Sequence, residues 1–196
     1  EWMISDLSIM LSGGVTVPAY TTYTERDYEY IIDDCTPTII LISDKIQYEK
    51  IINIVPKKNF IKRIIFFENI ENIDEELNLT IHDIFKRNNS SNQNFSDLKI
   101  QRGDLACIIY TSGTQGNPKG VMLSHGGILN NCEGANQLLK TFISKNPKFL
   151  TWLPLSHSYE HTVQFVQIVV GAKVFYAESI DKLIKNMSDC SPEIMT

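Results

Sequence analysis

Two kinds of hydrophobic pattern interleave along this chain: short continuous apolar runs of strand length, and longer segments whose apolar side chains recur at helical spacing. That interleaving predicts sheets with helices packed on them, an α/β fold of layered sheets with flanking helices. Residues 1–18 read as the end of a helix and then a strand, Val15-Thr16-Val17, after the Gly13-Gly14 turn. Arg26 to Cys35 reads as a helix with Tyr30 and Ile31 turned inward and Asp27 and Asp34 toward solvent. Thr38 to Ile42 is predicted as a buried strand, Ile46 to Ile54 as a helix and Ile64 to Phe67 as a strand. Asn88 to Ser96, polar and rich in turn formers, is predicted as a loop.

Beyond that loop the alternation sharpens. Leu105 to Tyr110 and Val121-Met122-Leu123 are predicted as two strands of a hairpin. Ser124 is placed to cap a helix from about Gly127 to Phe142. Phe149 to Leu153 and Lys173 to Tyr176 follow as strands, Tyr159 to Val170 and Ile180 to Met187 as helices. The apolar positions of the first of these helices, Val163, Phe165, Val166, Ile168 and Val169, are assigned to the core. Pro192 to Thr196 opens a further strand, and no internal repeat is found.

Composition narrows the class. With 196 residues, 43% apolar and 21% charged, the chain is long enough to bury a core, and one domain is the default expectation. A net charge of −5, with Lys57, Lys58, Lys62 and Arg63 as one short local cluster, argues against a nucleic-acid surface. The four cysteines, Cys35, Cys107, Cys132 and Cys190, are widely spaced and form no zinc-type pair, so they read as reduced and structural. No stretch has the apolar length of a membrane span, and Glu1-Trp2-Met3-Ile4 has no signal-peptide pattern. The expectation is a cytoplasmic protein, with peripheral membrane contact and oligomeric state left open. Both ends read as cut, so the chain is expected to be a fragment.

Chemistry concentrates in Tyr110 to Gly120, YTSGTQGNPKG. Glycines let backbone N–H groups approach an anion, the hydroxyls of Thr111, Ser112 and Thr114 can donate to phosphate oxygens, and Lys119 adds a mobile positive charge. A P-loop would place glycine directly before the lysine and Ser or Thr directly after it, where this chain has Pro118 and Gly120. An ordinary surface turn uses the same vocabulary, but rarely with so many hydroxyls and a lysine after a buried strand.

This string resembles the phosphate-binding signature of the adenylate-forming (AMP-binding) superfamily, which includes acyl-CoA synthetases, luciferases and peptide-synthetase adenylation domains. It departs at Gln115, where the family has Thr or Ser; a glutamine amide can still donate to phosphate. Leu153-Pro154-Leu155-Ser156-His157 resembles a second signature, whose histidine lies near the carboxylate being activated. Together with Ser124-His125-Gly126-Gly127 it is most similar to the long-chain fatty acyl-CoA ligases. The resemblance implies that residues 1–196 are part of one N-terminal large domain, truncated at both ends and without the C-terminal domain. It implies activation of a fatty acid by ATP, with Mg2+, through an acyl-adenylate to acyl-CoA, with coenzyme A as co-substrate. Thr111, Ser112, Gly113, Thr114, Gln115, Gly116 and Lys119 then hold the nucleotide, and His157 is the catalytic-site residue.

The family's metal-binding glutamate, ribose-binding aspartate and C-terminal lysine have no counterpart motif here, so these residues alone are expected to be inactive. Two other classes stand beside this reading. One is a nucleotide-binding module or degenerate paralogue without turnover. The other is a zinc hydrolase, because His157-Ser158-Tyr159-Glu160-His161 fits the inverted H-x-x-E-H pattern; against it stand Pro154 and Ser156, which favour His157 as a cap, and a hydrogen-bonding role for His161. His82 and His125 carry no comparable context.

Overall fold

A computed structural model describes residues 1–70, 78–87, 98–111 and 118–196. In chain order the elements are helix α1 (Trp2–Leu11), α2 (Glu25–Cys35), strand β1 (Ile39–Ile42), α3 (Lys45–Ile51), β2 (Arg63–Phe66), β3 (Asn78–Thr80) and α4 (Ile81–Arg87). They continue as β4 (Leu105–Thr111), β5 (Lys119–Ser124), α5 (His125–Leu139), β6 (Lys148–Thr151), α6 (Ser158–Val169), β7 (Lys173–Tyr176), α7 (Leu183–Cys190) and β8 (Ile194–Met195). Two compact units result: Thr21–Asp97 with Glu1, and Trp2–Tyr20 with Leu98–Thr196.

The first unit is a parallel sheet in the order β1-β2-β3, with α3 in the connection from β1 to β2. Thr24 and Asp27 form a reciprocal capping box that starts α2, and the Asp44 carboxylate accepts from the Gln47 N–H to start α3. Ile32, Ile42, Ile51, Ile54, Val55, Ile61, Ile64 and Phe66 make the core. β1 is less buried than its apolar sequence predicts: Ile39 is 48% exposed, because β1 is the sheet's edge strand. α3 stops at Ile51, short of the predicted Ile54, because the chain turns there into a 3-10 segment, Val55–Lys57, with Pro56 in its first turn. β3 and α4 carry no reading from the pattern, and the predicted loop at 88–96 lies outside the described residues.

The second unit has two sheets, the antiparallel pair β4-β5 and the parallel sheet β7-β6-β8. Its apolar core joins Met10 of α1, Ala106 of β4, Ile128 and Cys132 of α5, and Phe165 and Val166 of α6. The strand predicted at Val15-Thr16-Val17 contracts to a single bridge: Thr16 N–H donates to Ala106 O and Thr16 O accepts from Ile108 N–H. Pro18, with no N–H, cannot carry that ladder onward. α5 ends at Leu139 and not at Phe142, and the last predicted helix divides into a 3-10 turn, Ile180–Lys182, and α7. The strand expected near the C-terminal residues is β8, paired with β6. All four cysteines are free thiols.

Candidate functional site

β4 is a near-continuous apolar run, and Ala106, Cys107, Ile109 and Tyr110 are all buried. Its partner β5 runs along the surface. The register sets Thr111 opposite Lys119, with Tyr110 opposite Gly120. A Cβ at Gly120 would lie 2.8 Å from Ile108 Cγ2 and 3.3 Å from the Tyr110 ring, so the glycine allows those side chains to close against β5. The pairing brings a hydroxyl and an ammonium, both exposed, to the same end of the hairpin. Ser112, Gly113, Thr114, Gln115 and Gly116, the other predicted phosphate-binding residues, lie outside the described residues.

His157 is the N-cap of α6, with extended backbone and a ring Nδ1 that accepts from Tyr159 N–H at 3.2 Å. Its own N–H donates to Pro154 O at 2.9 Å, which closes the Leu153-Pro154-Leu155-Ser156 turn after β6. An accepting Nδ1 places the proton of the neutral ring on Nε2. Beside this cap opens a pocket of ≈ 520 Å³ lined by Leu123 of β5, Gly127, Ile128, Asn130 and Asn131 of α5, and Ser158, Tyr159 and Thr162 of α6. One wall therefore comes from the strand that Lys119 begins, the other from the turn that His157 caps. The positive end of the α6 dipole favours an anionic group there.

The pocket wall owes its position to a close approach that the sequence pattern does not reveal. Gly126 N–H donates to Arg102 O at 2.7 Å, while the Arg102 guanidinium donates to Asn130 Oδ1 at 2.5 Å and reaches Glu133 at 3.5 Å. Ser124, as predicted, caps α5 by accepting from Gly127 N–H. Asn130, Asn131 and Thr162 carry no signal in the sequence, since polar residues on a helix read as solvated surface.

α6 itself reverses part of the expectation. Phe165 and Val166 are core, but Ile168 and Val169 are exposed at 53% and 47%. Buried instead are Glu160, His161, Gln164 and Gln167, whose i, i+4 and i, i+3 spacing was the available signal. Gln164 Nε2 donates to Glu160 Oε1 (2.8 Å), Gln167 Nε2 to Thr151 Oγ1 (3.0 Å), Thr196 Oγ1 to Glu160 Oε1 (3.3 Å) and Tyr176 OH to Gln164 Oε1 (2.8 Å). Burial, with the Glu160 charge, raises the Tyr176 pKa.

The zinc-hydrolase geometry does not form. His157 caps the helix, Glu160 accepts from Gln164 and Thr196, and His161 Nε2 lies 3.0 Å from Asp6 Oδ2, so the motif's side chains serve three different partners. Among the described residues no three His, Cys, Asp or Glu side chains gather as a metal site. The weighed alternative, a hydrogen-bonding His161, is what the structure contains.

Comparison with known proteins adds a family, sequence relatives and folds. The family model described as AMP-binding enzyme matches residues 1–196. The long-chain-fatty-acid–CoA ligase ACSBG2 of Rattus norvegicus is 29% identical over 185 residues, 91% of this chain and 28% of that protein. Fatty acyl-CoA synthetase A of Dictyostelium discoideum is 27% identical over 202 residues, 100% of this chain and 30% of that protein. The chain thus spans about 30% of the length of such relatives. Among solved structures, a long-chain-fatty-acid-CoA ligase (FadD1) from Archaeoglobus fulgidus superposes with a TM-score of 0.82 at 21% identity, covering 99% of this chain and 37% of that one. A red-emitting luciferase from Phrixothrix hirtus gives 0.82 at 18% identity, covering 97% and 37%. These likenesses establish the fold.

Proposed function

Since the chain belongs to the AMP-binding enzyme family, we propose that the full-length protein is an ATP-dependent long-chain fatty acid–CoA ligase. A fatty acid carboxylate attacks the α-phosphorus of ATP, forming the acyl-adenylate as pyrophosphate leaves. The coenzyme A thiol then attacks the acyl carbon, and AMP leaves as the thioester forms. The first displacement demands that phosphate charge be neutralised and the two reactants aligned, which is a task of positioning and electrostatics.

One observation carries the reading: the hairpin that pairs Thr111 with Lys119 and the turn capped by His157 supply walls of the same pocket. Thr111 and Lys119, with Ser112, Gly113, Thr114, Gln115 and Gly116, hold the polyphosphate. His157, whose Nδ1 is engaged by Tyr159 N–H, orients the carboxylate through Nε2, and the acyl chain enters past Tyr159. The names of the relatives support a long-chain acid. Magnesium bound with ATP would screen its phosphates; the described residues offer no clustered ligand set for it.

The test is pyrophosphate release by the full-length protein across acids from acetate to oleate, for wild type and Lys119→Ala. Release with long acids, lowered about a hundredfold or more in kcat/KM by the substitution, is the expected result. No release with any acid would overturn the ligase reading and leave a nucleotide-binding module.

A further inference from the structure

The proposed chemistry leaves His161 without a task. His161 is fully buried, and it sits where three elements of the second unit meet. From α1, Asp6 Oδ2 lies 3.0 Å from Nε2, and the Trp2 ring stands edge-on at 5.6 Å. From β4 the Cys107 side chain faces the ring, and within α6 Phe165 stacks edge-on at 5.1 Å. The backbone N–H of His161 donates to His157 O at 2.8 Å, closing the first turn of α6 directly on the cap.

A histidine–aspartate pair is a poor choice if filling space were its whole task. Burying two ionisable groups costs desolvation that an apolar pair avoids, whereas the hydrogen bond adds direction. Here that direction runs from α1 into the turn that carries His157 and the pocket residues Ser158, Tyr159 and Thr162. We propose that His161, held by Asp6, is a positioning residue that locks the first turn of α6 and so sets His157 against the acyl substrate.

This inference rests on the ligase reading, and its lock depends on proton occupancy. The titratable groups set against the ring are Asp6 of α1 and Cys107 of β4; Glu160, on the same helix, turns to Gln164 and Thr196. Burial disfavours the charged ring, but the hydrogen bond and charge of Asp6, with the Cys107 side chain beside the ring, outweigh it and hold the pKa up at about 9. The lock is therefore a charged pair at neutral pH and weakens to a neutral hydrogen bond as the ring loses its proton.

The experiment uses the full-length protein with His161→Gln and Asp6→Asn. In pyrophosphate release at pH 7, each variant is expected to raise KM for the acid about tenfold and leave KM for ATP within about twofold of wild type. Wild-type KM for the acid should climb as pH passes about 9, while His161→Gln stays flat there. Equal changes in both KM values, or unchanged KM for the acid in both variants, would overturn the proposal.

If the wild type releases no pyrophosphate, the ligase reading fails by itself, and amide hydrogen exchange tests the lock separately. Protection of residues 158–162 should fall about tenfold in His161→Gln, and in wild type between pH 7 and pH 10. The wild-type comparison needs no variant, so a misfolded His161→Gln does not remove the test. Protection that ignores the state of His161 would overturn the lock.

Discussion

Replacing Glu160 with alanine or with glutamine separates the acceptor oxygen from the rest of the side chain. Glu160 is fully buried, and its Oε1 accepts from Gln164 Nε2 at 2.8 Å and from Thr196 Oγ1 at 3.3 Å. Alanine removes the acceptor, leaves its two buried donors only their longer 3.4 Å contacts to Thr151 Oγ1, and opens a small void. Losing a buried partner costs about 1–3 kcal/mol for each donor. Offset by the desolvation of a carboxylate whose Oε2 has no partner, the net loss expected for Glu160→Ala is about 3 kcal/mol. Glutamine keeps an oxygen in the accepting place and removes the buried carboxylate, so Glu160→Gln should stay within about 1 kcal/mol of wild type.

The assay is urea denaturation of the full-length protein followed by circular dichroism, with unchanged m-values certifying that the same transition is compared. Equal losses in the two variants, or a loss below about 0.5 kcal/mol for alanine, would refute the reasoning. Either result would mean that the hydrogen bonds Glu160 accepts from Gln164 and Thr196 add no net stability.

Two further outcomes follow from the same geometry. The Asp6–His161 pair carries the histidine pKa from 6.5 to about 9. The folded state therefore binds this proton more tightly than the unfolded chain. Its stabilisation, about 3 kcal/mol, is complete below pH 6.5 and lost as pH rises through about 9; urea midpoints at pH 6 and pH 10 should show the loss in wild type and not in Asp6→Asn. At the start of α5, Gly126→Ala would put a Cβ 2.7 Å from the Arg102 carbonyl oxygen and should cost about 2 kcal/mol. Gly127→Ala, whose Cβ would meet Ser124 Oγ at 3.4 Å, should be neutral or stabilising through helix propensity, and the two melting temperatures decide the point.

Local signals read well where one short-range interaction decides the outcome. Ser124 caps α5, the β4-β5 hairpin follows the apolar run and the glycine-rich segment, and His157 ends a strand-turn as a helix cap, as Pro154 and Ser156 suggest. Readings failed where burial depended on partners distant in sequence. The isoleucine-rich run became the edge strand β1, exposed at Ile39, and Ile168 and Val169 turned outward while Glu160, Gln164 and Gln167 turned in. Hydrophobicity assigns a glutamine a cost for leaving water, but Gln164, bonded to Thr151 and Tyr176, recovers inside the hydrogen bonds that it gave up.

By itself the sequence determined the alternation of strands and helices, the hairpin and the caps. It also placed hydroxyls, glycines and a lysine after one strand and a histidine after another. These features depend on backbone geometry and on contacts within a few residues. Tertiary structure alone decided that Leu123 and Tyr159 share a pocket, that Arg102 holds α5 through Gly126, and that Asp6 meets His161 across 155 positions of chain. Such pairings arise only when the sheet brings α1, β4 and α6 together. Their energy comes from excluding water around groups that the linear order leaves far apart.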